Sequence, residues 1–167
     1  MNITNSIRSR LRSYVFNQKK KRVSEECLKY VEQNEGLGKV IESFDGSYKS
    51  TGASLFDYVF LHRIVTSYKP NFLLECGTGK TTFVIADAMD ALMRQNPSYK
   101  PCLVSMEHNQ EWYELQGTKF PSDKYPFVEI VLSPKTTWGY GFLRGSAYQE
   151  VPNYPYDVVF VDGPGQG

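Results

Sequence analysis

Long hydrophobic runs are missing from this sequence of 167 residues. No apolar stretch approaches the ~20 residues that a helix needs to span a bilayer. The N-terminus also lacks the apolar core of a secretory signal peptide. A formal net charge of +1 gives no overall attraction to nucleic acid. We therefore expect a soluble, cytoplasmic protein that has no transmembrane segment and no nucleic-acid partner.

Cysteine is also scarce, and its three copies, Cys27, Cys76 and Cys102, lie far apart in the sequence. No CxxC pair indicates a zinc site, and an odd number of cysteines does not form an even disulfide framework. We therefore predict no metal site. Cys76 and Cys102 are expected to be small buried side chains, and a reducing compartment fits best.

Acidic residues are absent before Glu25, whereas this N-terminal segment is rich in cations. An apolar residue recurs at every fourth position from Ile3 to Val15, which predicts an amphipathic helix. Such a helix either binds an anionic surface or packs its apolar stripe on its own domain, and we expect the second. We divide the chain into a basic helical extension over residues 1–50 and a main domain over residues 51–167. The cations are Arg8, Arg10, Arg12, Lys19, Lys20, Lys21 and Arg22, and the stripe is Ile3, Ile7, Leu11 and Val15.

Strands and helices alternate regularly after residue 50. Gly36 and Gly38 indicate a loop before this region, and Ser54 with Asp57 predicts the start of a helix that ends before Pro70. The alternation predicts a doubly wound α/β fold with a parallel sheet. The predicted strands are 71–76, 102–106, 127–132 and 158–161, the helices between them are 79–95 and 110–117, and the aromatic segment 134–156 is expected to hold a short helix or a binding loop.

A glycine-rich turn follows the first of these strands. The apolar run from Phe72 to Leu74 leads into Glu75, and Gly77 and Gly79 come just before a helical pattern. Glycines there let backbone N–H groups approach a ligand that a Cβ would exclude. The N-terminus of the following helix offers further donors and the positive end of a dipole. The turn therefore predicts a nucleotide-like ligand.

Two common nucleotide sites do not fit this turn. A phosphate-binding P-loop needs glycine five positions before Gly79, where Leu74 stands inside the strand. A dinucleotide fingerprint needs a third glycine at the position of Thr82. The remaining candidate is a ligand that contains adenosine and ribose but no pyrophosphate.

Three segments resemble class I S-adenosylmethionine-dependent methyltransferases, and most closely the small-molecule O-methyltransferase-like branch. Glu75-x-Gly77-x-Gly79 resembles motif I of that family. Leu103 to Glu107 is similar to its second strand, which ends in an acid. Tyr156 to Asp162, followed by Gly163-Pro164, resembles its fourth strand and the loop after it. The resemblance covers roughly residues 50–167 and implies a Rossmann-like methyltransferase fold.

The resemblance also implies roles for individual residues. The cofactor would be S-adenosylmethionine, and Glu107 would accept hydrogen bonds from its ribose hydroxyls. Asp162 is the candidate catalytic residue and a further cofactor contact. Other roles stay open: Glu75 could cap a helix or pair with Arg63, and Glu107 could simply begin the next helix. The implied cofactor-binding set is Glu75, Gly77, Gly79, Thr81, Glu107, His108 and Asp162.

The family fold continues with a further helix, a fifth strand and a hairpin, whereas this sequence stops soon after Asp162. We therefore expect either a fragment or a shortened relative that a second copy or a partner chain completes over the edge of the fourth strand. The complete protein would transfer a methyl group to oxygen on a small molecule or glycan. The alternatives are a P-loop-type protein that binds nucleoside triphosphates and a non-catalytic module that a partner completes.

Overall fold

The computed structural model of the protein describes residues 21–44 and 53–161. The helices of this part of the chain are α1 over residues 21–33, α2 (Glu35–Glu42), α3 (Leu55–Tyr68), α4 (Lys80–Gln95) and α5 (Gln110–Lys119). The strands are β1 (Phe72–Cys76), β2 (Cys102–Glu107), β3 (Val128–Leu132), β4 (Lys135–Tyr140), β5 (Leu143–Tyr148) and β6 (Val158–Val161).

Four strands form a parallel sheet in the order β3-β2-β1-β6. Leu73 of β1 pairs with Leu103 on one side and with Val158 on the other. The chain runs outward from β1 through β2 to β3 and then returns to the opposite side of β1, which is the strand order of a Rossmann-like sheet. The predicted α/β fold with a parallel sheet is confirmed.

The two faces of the sheet are covered differently. Neighbouring residues of a strand point to opposite faces, so Leu73 and Leu103 face one side while Leu74 and Val104 face the other. All five described helices contribute to the main core around Leu73 and Leu103. The second face has a smaller cluster, in which Leu74 and Val104 are covered by side chains of the segment after β4. Within the described residues, the helices therefore lie on one face.

The start of α3 follows the predicted capping pattern. The Asp57 N–H donates to Ser54 Oγ at 3.4 Å, and the Ser54 N–H donates to Asp57 Oδ2 at 2.7 Å. These reciprocal bonds satisfy backbone donors that the first helical turn leaves without partners. The helix ends at Tyr68, and Lys69 takes a left-handed conformation just before Pro70.

Residues 21–44 pack into the same core as the main domain. Leu37 and Val40 of α2 are buried in it, as is Cys27 of α1. The prediction that Gly36 and Gly38 mark a loop is wrong, because both lie inside α2. A Cβ at Gly36 would come within 2.6 Å of the Asp87 carboxyl group, so this glycine permits α2 to approach α4 closely. The predicted stripe from Ile3 to Val15 and the cations up to Lys20 lie outside the described residues.

The segment after β3 forms a β-hairpin, so the short helix, one of the two predicted alternatives, is wrong, whereas a binding loop stays a prediction. β4 and β5 pair antiparallel, with Trp138 opposite Gly145 and Tyr140 opposite Leu143. Gly141 adopts a φ of 59° at the turn. Trp138, Tyr140 and Phe142 alternate with Gly139 and Gly141, and glycine is unfavourable in strands, so the pattern does not indicate a strand.

β6 lies at the edge of the parallel sheet and pairs only with β1 among the described strands. Its Val159 and Val161 are exposed. Asp157, just before β6, accepts the backbone N–H groups of Asn71 and Phe72 at 2.7 and 3.0 Å and fixes the register. Coverage of this edge by a second copy or a partner chain stays a prediction. In the part of the chain that is described, no helix is both long and apolar enough to cross a membrane.

Cys76 and Cys102 are more exposed than predicted. Both are half-buried, whereas Cys27 is buried. The two half-buried cysteines lie beside the smaller cluster on the second face of the sheet. Burial raises the pKa of both thiols above the ordinary value, so they stay protonated at neutral pH.

Candidate functional site

The turn between β1 and α4 contains two glycines in different conformations. Gly77 has a φ of 108°, which side-chain-bearing residues rarely adopt, and its N–H donates to the Met106 carbonyl at 2.9 Å. Gly79 caps the N-terminus of α4 in an extended conformation. A Cβ built on Gly79 would meet nothing within 4 Å. The turn therefore leaves open space beside the first backbone donors of α4.

Glu75 supports this turn from the interior of the domain. It is fully buried, and its Oε2 accepts the hydroxyl groups of Thr82 and Ser105, each at 2.6 Å. Thr82 Oγ1 in turn accepts the Gly79 N–H at 3.0 Å. The carboxyl group thus ties the first turn of α4 to β1 and β2. The structure gives Glu75 this supporting position rather than a pairing with Arg63, whose guanidinium lies over the Tyr30 ring. Direct binding of a cofactor by Glu75 stays a prediction.

Glu107 lies at the carboxyl end of β2 and is joined to the same turn. Its Oε2 accepts the Thr78 hydroxyl at 2.9 Å. Its Oε1 accepts the backbone N–H groups of His108 and Asn109 at 2.7 and 2.8 Å, and His108 Nδ1 lies 3.1 Å away. Glu107 is 4% exposed. The predicted pair of Gly79 and Glu107 is therefore brought to one edge of the sheet, with Thr78 between them.

Trp112 completes this arrangement and was missed in the sequence. Its indole N–H donates to the Thr78 carbonyl at 2.8 Å. Asn109 fixes the helix that carries Trp112, because its side chain accepts the Trp112 backbone N–H at 2.9 Å. The Asn109 cap is visible in the sequence as a residue typical of helix starts. The contact of Trp112 with Thr78 has no local sequence signal, since only the packing of α5 brings the two together.

Tyr148 reaches the site from the hairpin. Its hydroxyl donates to the Met106 carbonyl at 3.3 Å. Burial raises its pKa well above the ordinary tyrosine value, and the nearby Glu107 carboxyl group raises it further. Tyr148 therefore remains a protonated donor throughout the physiological range. The sequence placed this residue only within an aromatic segment without clear periodicity.

The other predicted site residues have different positions. Thr81 is buried in the first turn of α4, and its hydroxyl has no hydrogen-bond partner among the residues described. Lys80 extends its ammonium group to 5.1 Å from the centre of the Phe44 ring, towards the helical layer. His108 is partly exposed beside Glu107. Asp162 lies outside the described residues, and so does the loop after it.

A second polar cluster lies among the helices, away from this edge. His62 of α3 is buried, with its Nε2 3.9 Å from Asp87 Oδ2, and the Tyr30 hydroxyl forms a hydrogen bond with its Nδ1 at 2.9 Å. The cluster borders a cavity of about 400 Å³ between α1, α2, α3 and α4. This buried position among the helices, away from the glycine turn, favours a structural role for His62. The nearby acid was missed because Asp87 is distant in sequence.

The glycine turn at the carboxyl edge of the sheet leaves room for a ligand. The open space over Gly79 and the buried Thr81 hydroxyl are features of a ligand cradle. The first turn of α4 carries only one cation, Lys80, and its described contact is with Phe44. Between residues 21–44 and 53–161, no group of three or more His, Cys, Asp or Glu side chains is arranged to hold a metal ion.

Comparisons with known proteins add little evidence about the function of this chain. No family model matches the sequence, and no curated protein matches it. Among solved structures, the chain is similar to the SAH-bound methyltransferase PaMTH1 of Podospora anserina, with 16% identity and a TM-score of 0.44. The similarity covers 70% of this chain and 50% of that one, so the chain spans about half the length of PaMTH1. The geometry of the site, and not this likeness, supports the function proposed below.

Proposed function

We propose that this chain binds S-adenosylmethionine and forms part of a methyltransferase. One observation carries the proposal: the glycine turn after β1 is open above Gly79 and is linked through Thr78 to Glu107 at the end of the neighbouring strand. This edge lies where the strand order reverses between β1 and β6. Ligands of open α/β sheets bind at such a reversal, outside the carboxyl ends of the strands.

The charges near the turn favour this ligand. The sulfonium and ammonium groups of S-adenosylmethionine are cationic, and they gain from nearby acidic side chains that would repel a triphosphate. Glu75 and Glu107 both lie at the edge where the ligand would bind. The P-loop alternative would need Lys80 at the phosphates, and the contact of its ammonium with Phe44 supports a different position.

Glu107 would fix the adenosine through the ribose hydroxyls. A carboxylate oxygen accepts about two hydrogen bonds, so Oε2 can accept a ligand hydroxyl in place of the Thr78 hydroxyl. Because Glu107 is 4% exposed, ligand entry requires the Thr78 side chain to rotate away. In this proposal the Thr78 hydroxyl occupies the place of a ribose hydroxyl before the ligand binds.

The remaining assignments follow from the same proposal. Gly77 and Gly79 admit the ligand to the backbone, Thr81 offers its buried hydroxyl, and His108 lies beside the adenine. When bound, S-adenosylmethionine supplies a methyl group on a positively charged sulfur. Transfer requires mainly the in-line placement of an acceptor oxygen, which the site achieves by orientation. We propose Asp162 as the group that accepts the proton of the acceptor hydroxyl, on a small molecule or glycan.

Calorimetric titration tests the proposal directly. The purified chain is titrated with S-adenosylhomocysteine and, separately, with Mg-ATP. We expect heat of binding from the first ligand and none from the second. Binding of ATP alone would show that the P-loop alternative is right, and the absence of heat with both ligands would support a non-catalytic module.

Two substitutions distinguish the ligand-binding roles. Glu107→Ala should weaken binding of S-adenosylhomocysteine at least tenfold, because the ribose hydroxyls lose a charged acceptor. Lys80→Ala should change the affinity by less than about threefold, as expected for a side chain directed away from the ligand. Loss of binding in Lys80→Ala together with unchanged binding in Glu107→Ala would contradict the methyltransferase proposal.

A further inference from the structure

The tip of the β4–β5 hairpin exposes a dense group of large apolar side chains. The side chains of Phe142, Tyr140, Leu143 and Trp138 are exposed to 95%, 73%, 61% and 58%. Phe142 follows Gly141 at the turn, so it is the outermost of them. Soluble surfaces rarely concentrate apolar groups in this way unless they bind a partner.

The base of the hairpin is fixed, in contrast to its tip. The Tyr148 hydroxyl donates to the Met106 carbonyl, and the Gln149 N–H donates to the Pro134 carbonyl at 2.9 Å. The Glu150 N–H donates to Ser133 Oγ at 2.9 Å. These bonds hold both strands to the ends of β2 and β3. The apolar tip therefore projects from an anchored base and can contact a surface without rearrangement of the sheet.

The charges of the hairpin have one sign. Lys135 and Arg144 are its cations, and no acidic residue occurs from Ser133 to Gln149. Arg144 directly follows the exposed Leu143 and pairs across the hairpin with Gly139. Trp138, Tyr140 and Leu143 share one face of the hairpin, whereas Lys135 and Arg144 lie on the other. The apolar tip is thus combined with cations, which favours a partner that is apolar inside and anionic at its surface.

We propose that this tip docks on the surface of an anionic lipid bilayer. Phe142 and Leu143 enter the boundary between headgroups and acyl chains, and Trp138 and Tyr140 lie at headgroup level, where amphipathic rings are favoured. Arg144 and Lys135 contact the anionic headgroups while their apolar stems stay against the hairpin. The proposal does not depend on the identity of the ligand at the glycine turn.

Electrostatics argue against a second copy of the chain as the occupant. In a two-fold contact the same patch meets itself. If the apolar face met itself in this way, Arg144 and Lys135 would lie on the outward faces, and the hairpin of the other copy offers no acid to pair with them. A bilayer that contains anionic lipid supplies partners for the cations and accommodates all four apolar side chains.

Vesicle binding tests the proposal with the whole chain. We expect cosedimentation with vesicles of phosphatidylcholine mixed with phosphatidylserine, and at least tenfold weaker binding to phosphatidylcholine alone. The double substitution Phe142→Ser/Leu143→Ser should weaken binding at least tenfold. Lys135→Glu and Arg144→Glu should each weaken it about fivefold or more, only when anionic lipid is present. The emission of Trp138 should shift to shorter wavelength on binding, and this shift should vanish in Trp138→Phe, which retains Trp112.

The matched control is Phe56→Ser/Phe60→Ser, because these stacked side chains on α3 are also half exposed. It should bind vesicles like the wild type. Equal loss of binding in this control, no binding of the wild type to mixed vesicles, or no dependence on anionic lipid would each overturn the proposal. Self-association that the hairpin substitutions abolish, without vesicle binding, would assign the tip to a second copy instead. If the double variant is unfolded, the Trp138 emission of the wild type tests the proposal instead. A shift to shorter wavelength with mixed vesicles supports bilayer binding, and no shift overturns it.

Discussion

Gly77 and Gly79 belong to one turn but serve different purposes. The φ of 108° at Gly77 makes a side chain costly there, whereas a Cβ at Gly79 would meet nothing within 4 Å. Gly77→Ala should therefore lower the free energy of unfolding by about 1–3 kcal/mol. Gly79→Ala should change it by less than about 0.5 kcal/mol. Urea denaturation of the two variants measures this difference.

The same two variants test whether a ligand binds against the backbone of the glycine turn. If a ligand approaches the backbone at Gly79, the added methyl group occupies the space that the ligand needs. Gly79→Ala should then weaken binding of S-adenosylhomocysteine at least tenfold although the fold is intact. Unchanged affinity in this variant would show that the ligand does not approach Gly79.

Thr82 connects the buried Glu75 carboxyl group to the backbone of the turn. Its hydroxyl donates to Glu75 Oε2 and accepts the Gly79 N–H. Thr82→Val keeps the shape but removes both bonds, so the free energy of unfolding should fall by about 1–3 kcal/mol. Thr82→Ser retains the hydroxyl and should cost only about 0.8 kcal/mol for the lost methyl group. Equal losses in the two variants, measured by urea denaturation, would show that packing rather than hydrogen bonding matters here.

At the residue scale, the sequence indicates the backbone of the site better than its side-chain network. Gly77 and Glu107 are recognisable because a turn and a strand end require their residue types. The partners of Glu75 are not recognisable, since Ser105 is 30 residues away and meets it only through strand pairing. Trp112 and Tyr148 reach the turn by the packing of α5 and of the hairpin, which no local pattern encodes.

At the scale of elements, α2 contains a matched pair of glycines. A Cβ at Gly36 would lie 2.6 Å from Asp87 Oδ2, whereas one at Gly38 would make an ordinary contact of 3.6 Å with Val31. Gly38→Ala should raise the free energy of unfolding by about 0.5–1 kcal/mol, because alanine is the better helix former. Gly36→Ala should lower it, since the buried Asp87 carboxyl group must shift to admit the added methyl group. Thermal melting distinguishes the two, and stabilisation by both would show that α2 is not closely packed.

The helices and strands differ in how well the sequence predicts them. The main strands and the helices α3, α4 and α5 follow from hydrophobic spacing and capping residues, and the end of β6 at Val161 was predicted. α2 was missed because its glycines suggest a loop, whereas Gly36 in fact allows close packing against Asp87 of α4. The hairpin was missed because Trp138, Tyr140 and Phe142 all remain exposed. Its aromatic residues alternate with Gly139 and Gly141, which are unfavourable in strands, so the alternation did not indicate a hairpin.

At the scale of the whole molecule, stability should depend on pH through His62. Burial lowers its pKa to about 4, whereas an unfolded histidine has a pKa of about 6.5. The unfolded chain therefore takes up a proton at His62 before the folded chain does. The free energy of unfolding should fall as pH decreases from about 7 towards 4, by about 3 kcal/mol in total from this group. Urea denaturation across this range measures the loss.

His62→Gln is the control for this pH dependence. His108, the only other histidine of the chain, is retained in both proteins, so the difference between their pH profiles reports on His62. Burial raises the pKa of Asp87, and the stability that Asp87 contributes is present at low pH and lost as pH rises. The pH profile of Asp87→Asn lacks this opposite contribution, so comparison with the wild type measures it separately from that of His62. Profiles of equal slope for the wild type and His62→Gln would contradict the prediction.

The two strands that pair with β1 lie at very different distances from it in the sequence. β2 follows after a single helix, whereas Asp157, which binds the Asn71 backbone at the other edge, is 86 residues away. Closing such a long loop is entropically costly, and contacts between distant residues form slowly. During synthesis, one edge of β1 therefore stays unpaired until residues 158–161 have been made. Contacts of β6 that form after the folding transition state should control how fast the finished protein unfolds more than how fast it folds.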